Sequence, residues 1–222
     1  MATKLDIINF ALSHLGNAPV TSLTSNGSSV VQGNLWIDQS RQELLLAYPW
    51  IFATKRARLN EKTLNAFLRR QYLSDWLYAF NYPSDCLFMQ YLISPSTTNE
   101  AYQKTELPFT IEQNPLELPG ENERIILTNE TEIAAVYTLD FDVYAQLPPH
   151  FVQPLSILLA SHMAFPLTSS IEMKNALTRM YLQSLITYTA QDANQIKNKQ
   201  PQESEIIRAR ESDYYSYGTL SY

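Results

Sequence analysis

A single cysteine, Cys86, and only five glycines stand in a chain of 222 residues. One thiol excludes an intramolecular disulfide and any cysteine-rich metal site. So few glycines leave no phosphate-cradling loop, and neither a GxGxxG nor a GxxxxGK pattern occurs. Charge is also scarce: Asp, Glu, Lys and Arg make up 17% of the chain, below the quarter usual for globular proteins. No apolar run approaches the ~18 residues that a membrane-spanning helix needs, so no span is expected. The N-terminal "MATKLDIINFALSHLG" is interrupted by polar residues too often for the apolar region of a signal peptide, which predicts a soluble product of a cytoplasm.

Hydrophobic residues supply 45% of the sequence, and 14 of the residues are tyrosine. The length suffices for one large domain or two small ones with a substantial core. Outside that core, low charge with abundant Tyr, Asn, Gln and Ser makes a neutral, polar surface of the kind that packs against other proteins. The formal net charge of −6 argues against general adhesion to nucleic acid or anionic membrane, which requires clustered Lys and Arg.

Periodicity divides the chain into helical ends and a strand-rich middle. In "TKLDIINFALSHLG" the residues Leu5, Ile8, Leu12 and Leu15 fall on one helical stripe. Thr3 with Asp6 suggests a capping box, and Gly16 is placed to end the helix. A second helix is expected from a cap at Ser28 or Ser29 to about Tyr48, with Val31, Leu35, Leu44 and Leu45 as core candidates and Pro49 as its stop. Near the other end, "FVQPLSILLASHMAF" sets Phe151, Leu155, Leu158, Leu159 and His162 on one side, with Pro154 tolerated near the first turn. The stretch "FPLTSS" should break that helix. Ser169 with Glu172 then predicts a capping box opening a long helix to about Lys197, with Met173, Leu177, Met180, Tyr181, Leu185 and Tyr188 as its stripe.

Between these, "WIFATKRARL", "DWLYAFNYP", "CLFMQYLI", "LPFTIE", "RIILTN" and "IAAVYTLDF" read as strands. In the second of them Trp76, Tyr78, Phe80 and Tyr82 alternate onto one face. "TNET", Thr128 to Thr131, looks like a hairpin turn joining the last two, and "KTLNAFLRRQYLS" before Ser74 is helical in spacing. Each amphipathic helix needs cover for its stripe. The expected fold is therefore α+β: a four-helix bundle from residues 1–49 and 148–197, a β-rich insertion over 50–147, and an extended tail over 198–222.

Candidate chemistry is sparse. His14, His150 and His162 show no ligand-like spacing, and Cys86 reads as buried packing ahead of a thiol nucleophile. Asp140 and Asp142 in "DFD" would share a face if extended, either as an acid–base pair or as a solvated turn. Lys55, Arg56, Arg58, Lys62, Arg69 and Arg70 form a basic cluster interrupted only by Glu61. It is read as a contact for DNA or an acidic partner, or else as a solvated face. No residue is singled out as catalytic, metal-binding or cofactor-binding, and no cofactor is expected.

Several collinear stretches resemble the tail tubular protein A family, the head-to-tail adaptors or gatekeepers of short-tailed bacteriophages. They are "IINFALSHLG", "RQELLLAYPWIFA", "WLYAFNYPSDCLFM", the run from Arg124 to Ser170, and "IIRAR". They keep one order from Lys4 to Arg210, though no single stretch is a sharp motif. The resemblance implies a non-enzymatic virion protein that forms a dodecameric ring between the portal and the tail nozzle. Genomic DNA would pass through the lumen without sequence-specific binding, and no membrane is involved. It also implies a C-terminal extension that embraces the portal.

The last residues, "ESDYYSYGTLSY", match no family pattern and are read from their own chemistry. Ile206, Ile207, Tyr214, Tyr215, Tyr217, Leu220 and Tyr222 suit grooves on a partner, and Arg208 and Arg210 suit its carboxylates. The other reading is a sticky end with no partner. The alternative function from another class is a virion-associated glycan or peptidoglycan hydrolase. It needs two converging carboxylates, for which Glu132, Asp140 and Asp142 are the candidates.

Overall fold

The computed structural model describes residues 2–62, 75–94, 106–113 and 124–195. They form a mixed α+β structure with four α-helices and two three-stranded antiparallel sheets. Helix α1 is Lys4–His14, α2 Ser28–Ala47, α3 Pro149–Thr168 and α4 Ile171–Ala193. The strands are β1 Thr54–Arg58, β2 Tyr78–Asn81, β3 Cys86–Ile93, β4 Thr110–Gln113, β5 Arg124–Thr128 and β6 Ala134–Leu139. The helix expected over "KTLNAFLRRQYLS", Lys62 to Ser74, lies outside the described residues beyond Lys62, as does the whole 198–222 tail.

α1 begins as its sequence dictates. The Thr3 side chain accepts from the Asp6 amide at 3.2 Å, and the Asp6 carboxylate accepts from the Thr3 amide at 2.8 Å, which satisfies two otherwise orphaned donors. Gly16 takes the left-handed conformation that ends the helix, with φ of +71°. Ile7, Ile8, Ala11 and Leu12 are buried.

α2 departs from its predicted stripe. Val31 and Leu35 are exposed, and the buried face is Val30, Gly33, Ile37, Ser40, Arg41, Leu44 and Leu45. That face holds a glycine, a serine and an arginine, so a hydrophobic count scores it poorly and favours the neighbouring stripe. The glycine is there for space: a Cβ on Gly33 would lie 2.9 Å from Cγ2 of Ile8. The cap is Gly27, with no side-chain hydrogen bond, in place of Ser28 or Ser29.

α3 is the shared partner of the other three helices, each of which packs on it. By length and composition it could cross a membrane, with a mean hydropathy of 1.3, yet 67% of that window is buried inside the protein, as expected of a core helix. Pro149 occupies the first turn, where its missing N–H costs nothing. The helix does not break at "FPLTSS" but runs through Pro166 to Thr168. Ser169 then adopts φ of +54° and closes α3, so it cannot also take the extended backbone of an N-cap. Ser170 caps α4 instead, accepting from the Met173 amide at 3.1 Å. Leu177 and Tyr181 of α4 are buried, Leu185 and Tyr188 are partly covered, and Met173 and Met180 are exposed.

The segment from Trp50 is not a strand at its start. Trp50 is fully buried in the helical core, its indole donating to the Leu44 carbonyl at 2.8 Å, and a 3-10 turn over Ile51–Ala53 precedes β1. One sheet has the order β1-β6-β3 and the other β2-β5-β4. β5 and β6 therefore belong to different sheets, and "TNET" is a crossing, not a hairpin. Asn129 shows why: its side chain accepts from the Leu77 amide at 3.0 Å, which ties the turn to β2.

The two sheets share a core of Phe80 and Ile126 from one with Cys86, Met89, Leu92, Ala135 and Tyr137 from the other. Leu107 bridges to Leu92 of the first sheet before β4 joins the second. Tyr78, Phe80 and Tyr82 pack on this core. Trp76, ahead of the strand, packs instead beside Ala79, Ile125 and Leu127 on the far face.

Candidate functional site

Four aspartates organise the polar geometry, and each joins elements distant in sequence. Asp140, just after β6, accepts from Nη1 of Arg41 at 2.6 Å through Oδ1 and from Nε2 of Gln42 at 3.0 Å through Oδ2. Arg41 also donates to the Phe141 carbonyl at 2.8 Å. Burial opposes the charge of Arg41, but the hydrogen bond and charge of Asp140 outweigh it and hold the guanidinium above its ordinary pKa. This clasp fastens α2 to the end of the first sheet.

Asp85 is the second clasp. It accepts from Nζ of Lys55 at 2.5 Å and from the Tyr137 hydroxyl at 2.9 Å, across three segments of the first sheet. Burial pushes the carboxyl up, yet these two donors win and its pKa is lowered. Asp38 of α2 is held similarly by the Tyr144 hydroxyl and Lys4, and it too is lowered against an upward push from burial. Asp192, near the end of α4, is buried and accepts from the Ile51 amide at 2.9 Å, with Nε2 of His150 3.0 Å from its other oxygen. It locks the end of the last helix to the start of α3 and to the Trp50 segment.

The hydrolase candidates do not converge in these contacts. Both oxygens of Asp140 are engaged by α2, while Asp142 and Glu132 are exposed with no hydrogen-bonded or ionic partner among the described residues. The histidines have structural roles. His14 lies 3.4 Å from the Ser156 hydroxyl, and burial lowers its pKa. His162 stacks on Trp36 with centroids 4.9 Å apart and pairs with Glu43 at 3.1 Å. Cys86 is buried, its thiol donating to the Tyr82 hydroxyl at 3.1 Å, and burial pushes its pKa up, the opposite of what a thiolate nucleophile needs. Among the described residues no group of three or more His, Cys, Asp or Glu is placed to hold a metal ion.

Strand geometry splits the basic cluster. β1 is an edge strand, and successive side chains on it point to opposite faces. Lys55 turns to Asp85 and Tyr137, whereas Arg56 and Arg58 share the other face, exposed and without an ion pair among the described residues. The Lys62 amide donates to the Ala79 carbonyl at 2.7 Å, in line with the second sheet. Arg69 and Arg70 lie outside the described residues, as do all nine tail residues from Ile206 to Tyr222 named above.

The clasps are invisible to sequence spacing, because Arg41 and Asp140 stand 99 positions apart. Sequence reading also missed exposed apolar side chains on the helices: Val31, Leu35 and Leu46 on α2, and Ile171, Leu182 and Ile186 on α4. No protein-family model matches the sequence, and no match was found among curated proteins.

Proposed function

We propose that this chain is a structural adaptor of a short-tailed bacteriophage virion, joining portal to tail nozzle as one subunit of a dodecameric ring. The observation that bears this reading is the collinear resemblance to the tail tubular protein A family from Lys4 to Arg210. In this reading α1 to α4 act as a four-helix bundle carrying the strands of 50–147 as an inserted region, and residues 198–222 reach out to the portal. Fully extended, that tail spans up to ~80 Å.

The physical chemistry is consistent with a scaffold. Three of the clasped aspartates, Asp38, Asp140 and Asp192, join helices to one another or to neighbouring segments, and Asp85 ties strands within the first sheet, which stiffens the subunit. Apolar side chains left exposed on α2 and α4 suit a molecule that neighbours cover. The negative balance suits a DNA conduit, since a wall that held phosphates tightly would slow passage. Twelve copies at −6 each total about −70, a field felt over a Debye length of ~8–10 Å.

A closed ring requires heterologous contacts, in which each subunit offers two different faces. Tyrosines buried at the centre of an interface are frequent hot spots worth ~2 kcal/mol or more, and repetition around a ring makes modest contacts long-lived. Electron microscopy of the protein, alone and mixed with the portal of its virion, tests the reading. A twelvefold ring docked on the portal is expected, lost when residues 200–222 are deleted although the truncated protein stays folded by circular dichroism.

A further inference from the structure

β1 is an open edge of the first sheet: β6 pairs with one side of it, and no described strand pairs with the other. Just beyond the ladder, the Leu59 amide donates to the Ile133 carbonyl at 3.1 Å. Antiparallel bonding alternates, so Lys55 and Ala57 also turn their backbone groups to β6, and Arg56 and Arg58 turn theirs away from it. The side chains of Arg56 and Arg58 stand on one sheet face, exposed and without an ion pair among the described residues. Outward amides and carbonyls flanked by two cations make a template for an extended segment that carries carboxylates at the same spacing.

The chain supplies such a segment close by. Asp192 accepts from the Ile51 amide at 2.9 Å, three residues before β1 begins, and the Gln195 amide donates to the Asp192 carbonyl at 3.0 Å. Gln195 is thus held near the Thr54 end of that edge. From there "IKNKQPQESEII" leads to Glu203 and Glu205, two carboxylates with one residue between them, and then to the β-branched pair Ile206 and Ile207. The steps from Gln195 to Glu203 span up to ~26 Å, more than the ~18 Å that those from Ile51 to Arg56 can cover. The later acidic pair, Glu211 and Asp213, directly follows Arg208 and Arg210, whose charges oppose those of the edge.

We infer that residues 203–207 dock on β1 of their own subunit as a further, parallel strand, with Glu203 beside Arg56 and Glu205 beside Arg58. In a parallel ladder each bonding residue pairs with the two neighbours of the residue beside it. The Arg56 and Arg58 amides then donate to the Gln202 and Ser204 carbonyls, and their carbonyls accept from the Ser204 and Ile206 amides. Pro201 turns its ring nitrogen away from β1 in this register, so its missing N–H costs nothing. The docking closes an edge that a foreign strand would otherwise add to. It also fixes where the tyrosine-rich residues leave the subunit, at the Arg58 end of β1, and it needs no portal.

Residue-resolved amide hydrogen exchange on the full chain, with no portal present, tests this. The Arg56 and Arg58 amides are expected to exchange at least about tenfold more slowly than after deletion of residues 200–222. Glu203→Lys with Glu205→Lys should lose most of that protection, and adding Arg56→Glu with Arg58→Glu should restore it at the same two positions. Glu211→Lys with Asp213→Lys should leave it intact. Equal exchange in the full and truncated chains would overturn the docking, as would a charge swap that restores nothing or an equal loss in the Glu211 and Asp213 variant. Protection that rises with protein concentration would overturn it too, by giving the strand to a second copy. Failure here leaves the ring reading standing, and failure to bind portals leaves the docked strand standing.

Discussion

At the scale of single residues, stability turns on charges that are used up. The Arg41 side chain is 5% exposed and Asp140 35%, so removing the carboxylate strands a guanidinium that water cannot reach. Asp140→Ala is expected to cost about 2–3 kcal/mol, less than a fully buried pair because Asp140 is partly solvated. Adding Arg41→Met should recover most of the loss in chemical denaturation; no recovery would mean the clasp is not what holds α2 to the sheet. His14 gives the pH dependence. Burial lowers its folded pKa below the ordinary 6.5, so the unfolded chain binds the proton more readily. Its contribution is complete above about pH 6.5 and fades as pH falls through the folded value. The melting temperature should therefore drop between neutral pH and pH 5, and His14→Gln should flatten that slope. Asp38 and Asp85, whose pKa values are lowered from 3.8, add a second loss only in strong acid.

At the scale of elements, legibility followed the kind of force that fixes each one. Local forces were readable: the Thr3–Asp6 capping box, the Gly16 stop and the strand runs "CLFMQYLI" and "RIILTN" all stand where residue type alone puts them. Choices settled by tertiary packing were not. The buried face of α2 is set by Gly33 against Ile8 and by Arg41 against Asp140, neither of which a hydrophobic count rewards. Ser169 and Ser170 offer the same cap chemistry, and only the left-handed backbone at Ser169 decides between them. The crossing at "TNET" rests on Asn129 holding β2, a partner 52 positions away. Of the candidate site, the position of Arg56 and Arg58 on an exposed strand was readable, but the capture of Lys55 by Asp85 was not. Gly33→Leu tests the packing directly. Forcing a side chain into the 2.9 Å approach should destabilise by ~1–3 kcal/mol by overpacking and lower the melting temperature. An unchanged midpoint would show that α1 and α2 separate freely.

At the scale of the whole molecule, the proposed adaptor role divides the chain between a clasped subunit and its C-terminal stretch. Aspartate clasps tie the helices to each other and to the sheets, α3 buries its apolar length among the other helices, and the tyrosine-rich 198–222 stretch follows the last helix. The proposed adaptor role would use the clasped subunit to transmit load and the 198–222 stretch to engage a second protein. The measurement that tests the adaptor function most directly is electron microscopy of the full-length and 200–222-deleted proteins mixed with the portal of the virion. Twelvefold rings on the portal for the full chain, and bare portals for the truncated one, are predicted. Portals left bare by the full-length protein would contradict the account.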